Sequence, residues 1–511
     1  MERNKKIMEL MSGNMVGVIV IALILVSILP EKRRGFILAF VSMYILFINN
    51  SFSNFMLTLL LLLGVYGGAI SIEKKREKAL VICRGIVILL VLILTVMKYS
   101  NFIITLINVI FRVLGSYIAL KTFHINAPFG ISYFTLILIA YVLSVYWGTV
   151  KAKIKLEDFV NTVGFFPIWF IGPILSGGDM IDCNFRVTYH SLTFGLQRIG
   201  WGMFKKMLIS GPCAVLVNTI YCDYRNYSGL YILIAIALFE LQLYTDFSGA
   251  MDIVLGIAEI FGKKLPENFN RPFSSTSVSE FWRRWHITLG IWLKNFVLYP
   301  ILKTQSFIRL GEMMKKLFGK KLGKRIVTYL GLFISWFLIG LWHGGGWNYI
   351  FGVGIYMWLI IVGGEILQPL FDGVTKHLCI KKSCGIYILF SKIRTAVLVL
   401  FGIHFFRAGS LKEGFRMIKF MVLTYDSRVL LDGSLVNNLG IAEKPMIICF
   451  LGTVIFFLIS NLQKSGSVRE RIAKQNIIIR WGIYYLLIMS IAVLGPIALK
   501  NGVVGFIYQQ F

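Results

Sequence analysis

The chain has 511 residues, 57% of them hydrophobic and only 15% charged, and carries a net charge of +29. A soluble domain averages about 25% charged residues, and here the deficit lies in long apolar runs rather than in a diluted surface. This excludes a string of soluble domains, and with it a nucleic-acid-binding module able to present the basic charge. It predicts an all-α polytopic membrane protein built as a single membrane domain over residues 1–511.

In chain order, Met1-Glu2-Arg3-Asn4-Lys5-Lys6 precedes the first apolar stretch, and Arg33-Arg34 follows it without a small-residue cleavage site. That reads as a retained helix rather than a removed signal. The runs 16–29, 36–48, 55–72, 80–97 and 128–147 are nearly free of charge. Several are long enough to cross a hydrocarbon core of about 30 Å at 1.5 Å per residue. Further candidates lie near 162–175, 195–220, 230–245, 327–342, 349–367, 386–406, 446–460 and 481–499. The sum is roughly eleven or more spans, with shorter interfacial or re-entrant helices between them. Basic clusters such as Glu31-Lys32-Arg33-Arg34 and Lys74-Lys75-Arg76 sit between the runs, and 303–325 holds eight Lys/Arg against the single acid Glu312. Their placement predicts cytosolic loops and contact with anionic lipid. An extramembrane loop is expected over 424–445, around Asp426, Asp432, Gly433 and Asn437-Asn438. The cysteines at 83, 183, 213, 222, 379, 384 and 449 form no CxxC pair, so neither a disulfide framework nor a zinc site is suggested.

The middle third is different. From Glu240 to Asn348 the apolar pattern is broken by acids, Asn, His, Trp and Gly. Asp246, Asp252 and Glu259 stand in an otherwise apolar stretch, and on a helix Asp252 and Glu259 share a face. Ionisable groups at membrane depth line a cavity or pair with a cation. The structural alternative here is pairing with Arg271, Arg283 or Arg284.

Two histidines stand out by context: His286 in Phe281-Trp282-Arg283-Arg284-Trp285-His286, and His343 in Leu341-Trp342-His343-Gly344-Gly345-Gly346-Trp347-Asn348. His124, His190, His377 and His404 lie at segment ends or in loops and read as structural. If the basic loop ending at Arg325 is cytosolic, the apolar run from Ile326 heads outward. Its about 16 residues give roughly 24 Å, short of a core of about 30 Å. His343 is then expected within the membrane depth, nearer the outer face, with glycines beside it that allow close approach. A desolvated, neutral imidazole there suits general-base removal of a hydroxyl proton during acyl transfer; the alternative is a hydrogen-bonded core histidine. A continuous helix would set Trp282, His286, Leu289 and Leu293 on one face, with His286 positioning substrate, orienting His343 or packing. No HxxxH, HExxH or GxSxG spacing occurs, so neither a metal nor a serine nucleophile is expected.

These residues belong to a series of blocks that resembles the membrane-bound O-acyltransferase family, in its bacterial branch of alginate O-acetylation proteins and the D-alanyl transfer protein of teichoic acids. The blocks are Pro128-Phe129-Gly130-Ile131-Ser132-Tyr133-Phe134-Thr135 with Val145-Tyr146-Trp147-Gly148; Gly202-Met203-Phe204-Lys205-Lys206; Asp246-Phe247-Ser248-Gly249 with Asp252; Pro266-Glu267-Asn268-Phe269-Asn270 running into Ser279–His286; Gly340-Leu341-Trp342-His343-Gly344; and Phe405-Phe406-Arg407-Ala408. They cover about residues 95–410, and the extension 411–511 adds about two further helices. The resemblance implies a bowl of helices around a central passage, with His343 as the catalytic histidine and His286 as the second. Trp282, Trp285, Asn295, Trp342, Trp347, Asn348 and Asp246 are candidates for lining the passage. One segment departs from the pattern: where relatives show Trp, one residue, then Arg-Asp-Tyr, this chain has Trp292-Leu293-Lys294-Asn295-Phe296.

The resemblance further implies transfer of an acyl group, foremost acetyl, to a hydroxyl of an extracytoplasmic cell-surface polysaccharide or to a partner transferase, in the cytoplasmic membrane. The donor would be acetyl-CoA or an acyl carrier protein thioester on the cytosolic side, with no permanently bound cofactor. The implied partners are an extracytoplasmic esterase-like or acyltransferase protein and a cytosolic acyl carrier protein, with membrane lipids around the chain. D-alanyl transfer to teichoic acid is the alternative within the class. A transporter or flippase of glycan precursors is the alternative outside it, although no internal duplication of the kind common in such folds is visible.

Overall fold

The computed structural model describes residues 12–123, 125–431 and 443–499. The N-terminal Met1–Lys6 segment, His124, and Asp432, Gly433 and Asn437-Asn438 of the expected loop fall outside these. Eight described helical stretches are long and apolar enough to cross a membrane: Phe52–Lys74, Arg76–Val113, Gly229–Ile260, Gln305–Trp342, Trp347–His377, Gly385–Arg407, Glu443–Ser465 and Ile477–Ala498. Of these, Gln305–Trp342 breaks at Gly319, with φ 79° and ψ 162°, so the part that ends at Trp342 begins after that break. Shorter apolar helices span Gly13–Ile28, Ile131–Tyr146 and Ile287–Leu302. The chain is an all-α, multi-pass membrane protein. Its exposed surface is rich in Leu, Ile, Val and Phe along these helices, as expected of faces that meet lipid.

Against roughly eleven or more expected spans, eight such stretches occur among the described residues, and the run 162–175 is not a continuous helix at all. Residues 162–175 form the end of the Leu156–Gly164 helix, a four-residue turn Ile168–Ile171, and extended chain beyond it. Pro167 and Pro173 explain the interruption, since neither offers a backbone N–H to continue a helix.

The chain divides into two compact units. The first comprises 1–199 and 251–267. Its core is aromatic: Phe165 meets Phe166, Phe185 and Phe261 at ring-centroid distances of 5.3, 5.6 and 6.3 Å. Two polar side chains buried near these rings bond to backbone: Asn161 Nδ2 donates to Gly35 O at 2.7 Å, and Ser42 Oγ accepts from Phe166 N at 3.0 Å. Gly195 and Gly256 let two helices touch backbone to backbone: a Cβ on Gly195 would lie 2.6 Å from Gly256 O. At that crossing Arg198 donates to Asp252 at 3.0 Å and to Glu267 at 2.5 Å.

The second unit comprises 200–250 and 268–511. Here glycine draws three elements together. A Cβ on Gly340 of the Gln305–Trp342 helix would lie 2.7 Å from Ile350 Cα, and one on Gly352 would lie 2.5 Å from Gly402 O. The π-helical turn Ile350–Ile355 is thereby clasped between the Gln305–Trp342 and Gly385–Arg407 helices. This clasp brings the end of one helix, at His343, against the end of the other, at Phe406.

Candidate functional site

The site is built within the second unit from three helix ends. The first is the segment leading to His286. Ser277 caps the Val278–Arg284 helix, its Oγ accepting from Glu280 N at 3.2 Å. Glu280 in turn accepts from Thr276 N at 2.8 Å and pairs with Arg284 at 2.6 Å. These contacts fix where the helix begins, as a helix-start capping motif does.

The helix then stops two residues before the histidine. Trp285 is extended, with φ −116° and ψ 128°, and His286 is left-handed, with φ 47° and ψ 51°. A new helix, Ile287–Leu293, starts immediately after. The single amphipathic face expected for Trp282, His286, Leu289 and Leu293 is therefore broken at its centre. The cause is a short antiparallel pairing with 268–270: Phe269 pairs with Trp285, Asn270 N donates to Arg284 O, and Ile287 N donates to Asn268 O, the last two both at 3.0 Å. A non-glycine residue at positive φ costs about 1–3 kcal/mol and survives only where its surroundings over-determine it.

His286 itself is 4% exposed. Its Nδ1 lies 3.4 Å from Asn268 Oδ1. Its ring stands edge-to-face on Phe247 at 4.9 Å and on Trp342 at 5.7 Å. Its Nε2 is buried and has no hydrogen-bond partner among the described residues.

His343 caps the Gln305–Trp342 helix and is 5% exposed. It packs edge-on to Trp342 at 5.0 Å and to Phe406 at 5.1 Å. Gly344 and Gly345 follow with φ 146° and 66°, conformations that glycine adopts at little cost. Trp342 touches both histidine rings, so residues 57 positions apart in sequence meet in one aromatic cluster.

The other candidates sort by position. Trp285 is buried, stacked on Phe281 at 5.4 Å and set against Phe269 at 5.3 Å. Trp282 is half-buried against Trp336 at 5.4 Å. Asn348 is buried, its Nδ2 donating to Phe405 O at 3.3 Å and Ala408 O at 3.1 Å, which ties the segment after His343 to the end of the neighbouring helix. Trp347 and Asn295 are exposed and stand outside the buried cluster. Asn295 lies in the π-helical turn Lys294–Leu298, where the Lys294 ammonium sits 5.5 Å from the Tyr299 ring centroid. Asp246 is buried and paired with Lys206 at 2.8 Å, beside Lys205 donating to Ser248 at 2.9 Å. The partners expected for the acids of this helix were Arg271, Arg283 and Arg284. Arg198 pairs with Asp252 and Lys206 with Asp246, while Arg284 pairs with Glu280.

Sequence reasoning missed the role of Asn268, the neighbour that holds His286; its only signal was membership of the Pro266–Asn270 block. No group of three or more His, Cys, Asp or Glu side chains that could hold a metal occurs among the described residues.

A model of the membrane-bound O-acyltransferase family matches residues 158–405, which span both histidines. The probable alginate O-acetylase AlgI of Pseudomonas aeruginosa is 31% identical over 406 residues, covering 78% of this chain and 70% of that protein. The chain belongs to the membrane-bound O-acyltransferase family. It is an O-acyltransferase. Similarity within the family extends to the peptidoglycan O-acetyltransferase of Helicobacter pylori, 26% identical over 71% of each chain. It also reaches the teichoic acid D-alanyltransferase of Bacillus subtilis, 28% identical over 44% of this chain and 56% of that one.

Proposed function

We propose that this O-acyltransferase resides in the cytoplasmic membrane and moves an acetyl group from a cytosolic thioester to a hydroxyl of an extracytoplasmic cell-surface polysaccharide, either directly or through a partner transferase. In this reading His343 is the general base. The acceptor oxygen attacks the acyl carbonyl carbon and its proton passes to the imidazole. The C–S bond of the thioester breaks, and the leaving thiolate takes up a proton. Acetyl-CoA or an acyl carrier protein thioester is the donor. His286, across Trp342, positions the acceptor through a second polar group, leaving the attacking hydroxyl to His343.

The observation that carries the reading is the convergence of two buried histidines on one tryptophan, Trp342, whose ring meets both imidazoles. Water-poor surroundings strengthen each polar contact made there, and Gly344 and Gly345 after His343 carry no side chain to stand in a substrate's way. Acetyl is favoured over D-alanyl because the relatives named as acetylating enzymes match a larger share of the chain. The partner implied is an extracytoplasmic esterase-like or acyltransferase protein that receives or hands on the acyl group.

The test is the ester-linked acyl content of the cell-surface polymers, with mass identification of the released acid, in parent, deletion and His343→Ala cells. Loss of acetate in both mutants is the expected result. Loss of D-alanine would move the reading to teichoic acid. Unchanged ester content in both would remove the polymer as acceptor and His343 as base.

A further inference from the structure

We infer that Asn268 is a positioning residue that holds His286 as its Nδ1–H tautomer and so turns the Nε2 lone pair toward the acyl acceptor; this rests on the reading of His286 as a substrate-contacting group.

One terminal atom of the Asn268 side chain has a forced identity. The backbone N–H of Thr288 lies 3.0 Å from this atom. A backbone N–H can only donate, so that atom is the carbonyl oxygen Oδ1 and not the amide nitrogen. Thr288 Oγ1 donates to the same oxygen at 2.8 Å. His286 Nδ1 approaches it at 3.4 Å. An amide oxygen has no hydrogen to give, so the hydrogen of that contact is on Nδ1. In a neutral imidazole the other nitrogen then carries a lone pair and no hydrogen.

That second nitrogen is the unusual one. Nε2 of His286 is buried and has no partner among the described residues, whereas buried ring nitrogens normally find one. The ring cannot turn to seek another, because Phe247 and Trp342 stand edge-on to it. The backbone cannot relax either. Ile287 N is bonded to Asn268 O at 3.0 Å, and Asn270 N to Arg284 O at 3.0 Å, on either side of the left-handed His286. Asn268 thus acts twice, its backbone carbonyl fixing the bend and its side chain fixing the proton. It is itself 1% exposed, which leaves it little freedom to reorient. A buried acceptor nitrogen without a partner beside Trp342, the ring shared with His343, is suited to one class of ligand: an O–H or N–H donor of the acyl acceptor other than the attacking hydroxyl, whose proton passes to His343.

The experiment is nitrogen-15 solid-state NMR of the full-length protein in lipid bilayers, with only histidine labelled. His286 is assigned as the signal lost in His286→Gln. The parent is expected to show Nδ1 protonated and Nε2 bare. Asn268→Ala should shift His286 toward the Nε2–H form, and Asn268→Asp, which keeps an oxygen at the same point, should retain Nδ1–H. The same variants are scored for polymer-bound ester per molecule of inserted enzyme. Asn268→Ala is expected to lose at least about tenfold, since an Nε2 that carries hydrogen cannot accept from the acyl acceptor, and Asn268→Asp should recover most of the loss. An Nε2–H signal in the parent overturns the proposal, and so does unchanged Nδ1–H in Asn268→Ala. Should that variant fail to insert, the parent spectrum and Asn268→Asp still decide. If the tautomers behave as expected but ester content ignores His343→Ala, the functional reading fails while the assignment to Asn268 stands.

Discussion

His286 and His404 lie in the same unit, and both are almost completely buried, yet they are treated differently. His404 sits inside the regular Gly385–Arg407 helix. Both of its ring nitrogens are engaged, Nδ1 with Tyr221 Oη at 3.0 Å and Nε2 with Gly414 O at 3.0 Å. His286 sits on a left-handed bend with one nitrogen held and the other open. Burial alone therefore does not distinguish the histidine proposed to meet substrate from a packed one. The distinction lies in how completely the ring is satisfied and how much backbone strain is tolerated to hold it, because a fold gains nothing from an unsatisfied, strained group unless a ligand completes it.

The comparison can be broken in order of expected effect. A positioned acid–base group is worth about 10²–10⁴-fold in rate. His343→Ala should lose ester formation across that range, and His286→Gln at its lower end, with insertion unchanged in both, measured as polymer-bound ester per molecule of enzyme. Next comes the ion pair between Lys206 and Asp246. Lys206→Met removes the ammonium paired with a buried carboxylate and should cost about 3–5 kcal/mol of stability, read as a lower melting temperature in detergent; adding Asp246→Leu should restore most of it. The smallest effect belongs to His404→Leu, which leaves the Tyr221 hydroxyl and the Gly414 carbonyl without their ring partner. A loss of about 1–3 kcal/mol in stability is expected, with ester formation per folded molecule within about twofold of the parent. If His404→Leu instead loses transfer as steeply as His286→Gln, ring satisfaction does not separate the two classes.

Much of the architecture was readable in the residues because a hydrocarbon core demands long apolar runs, and such runs are conspicuous. The placement of His343 at a helix end was readable for a similar reason, since three glycines follow it. The span expected at 162–175 failed because two prolines outweigh hydrophobicity. The bend at His286 was hidden for a deeper reason. Residues 281–293 carry an acceptable helical periodicity, and the element that overrides it, 268–270, pairs through backbone atoms that leave no mark on side-chain pattern. The pairing of Lys206 with Asp246 was hidden likewise: both charges are visible, but only the glycine-mediated approach of their helices, at Gly202 and Gly249, decides that they meet. Asn268 is the extreme case. Its function lies in which of its two terminal atoms faces Thr288, and composition says nothing about that.

The left-handed bend at His286 makes that position unusually suited to chemical complementation. Glycine adopts such a backbone freely, so His286→Gly removes the ring and at the same time relieves the conformational penalty that alanine would retain. The vacated space is bounded by Phe247, Trp342 and the Asn268 carbonyl, all of which remain. Imidazole supplied in the medium has the shape to enter it, and the Asn268 oxygen would select its orientation. Partial return of acyl transfer in His286→Gly, but not in a His286→Gly, Asn268→Ala double variant, would show that the protein stores the instructions for this side chain in the walls around it.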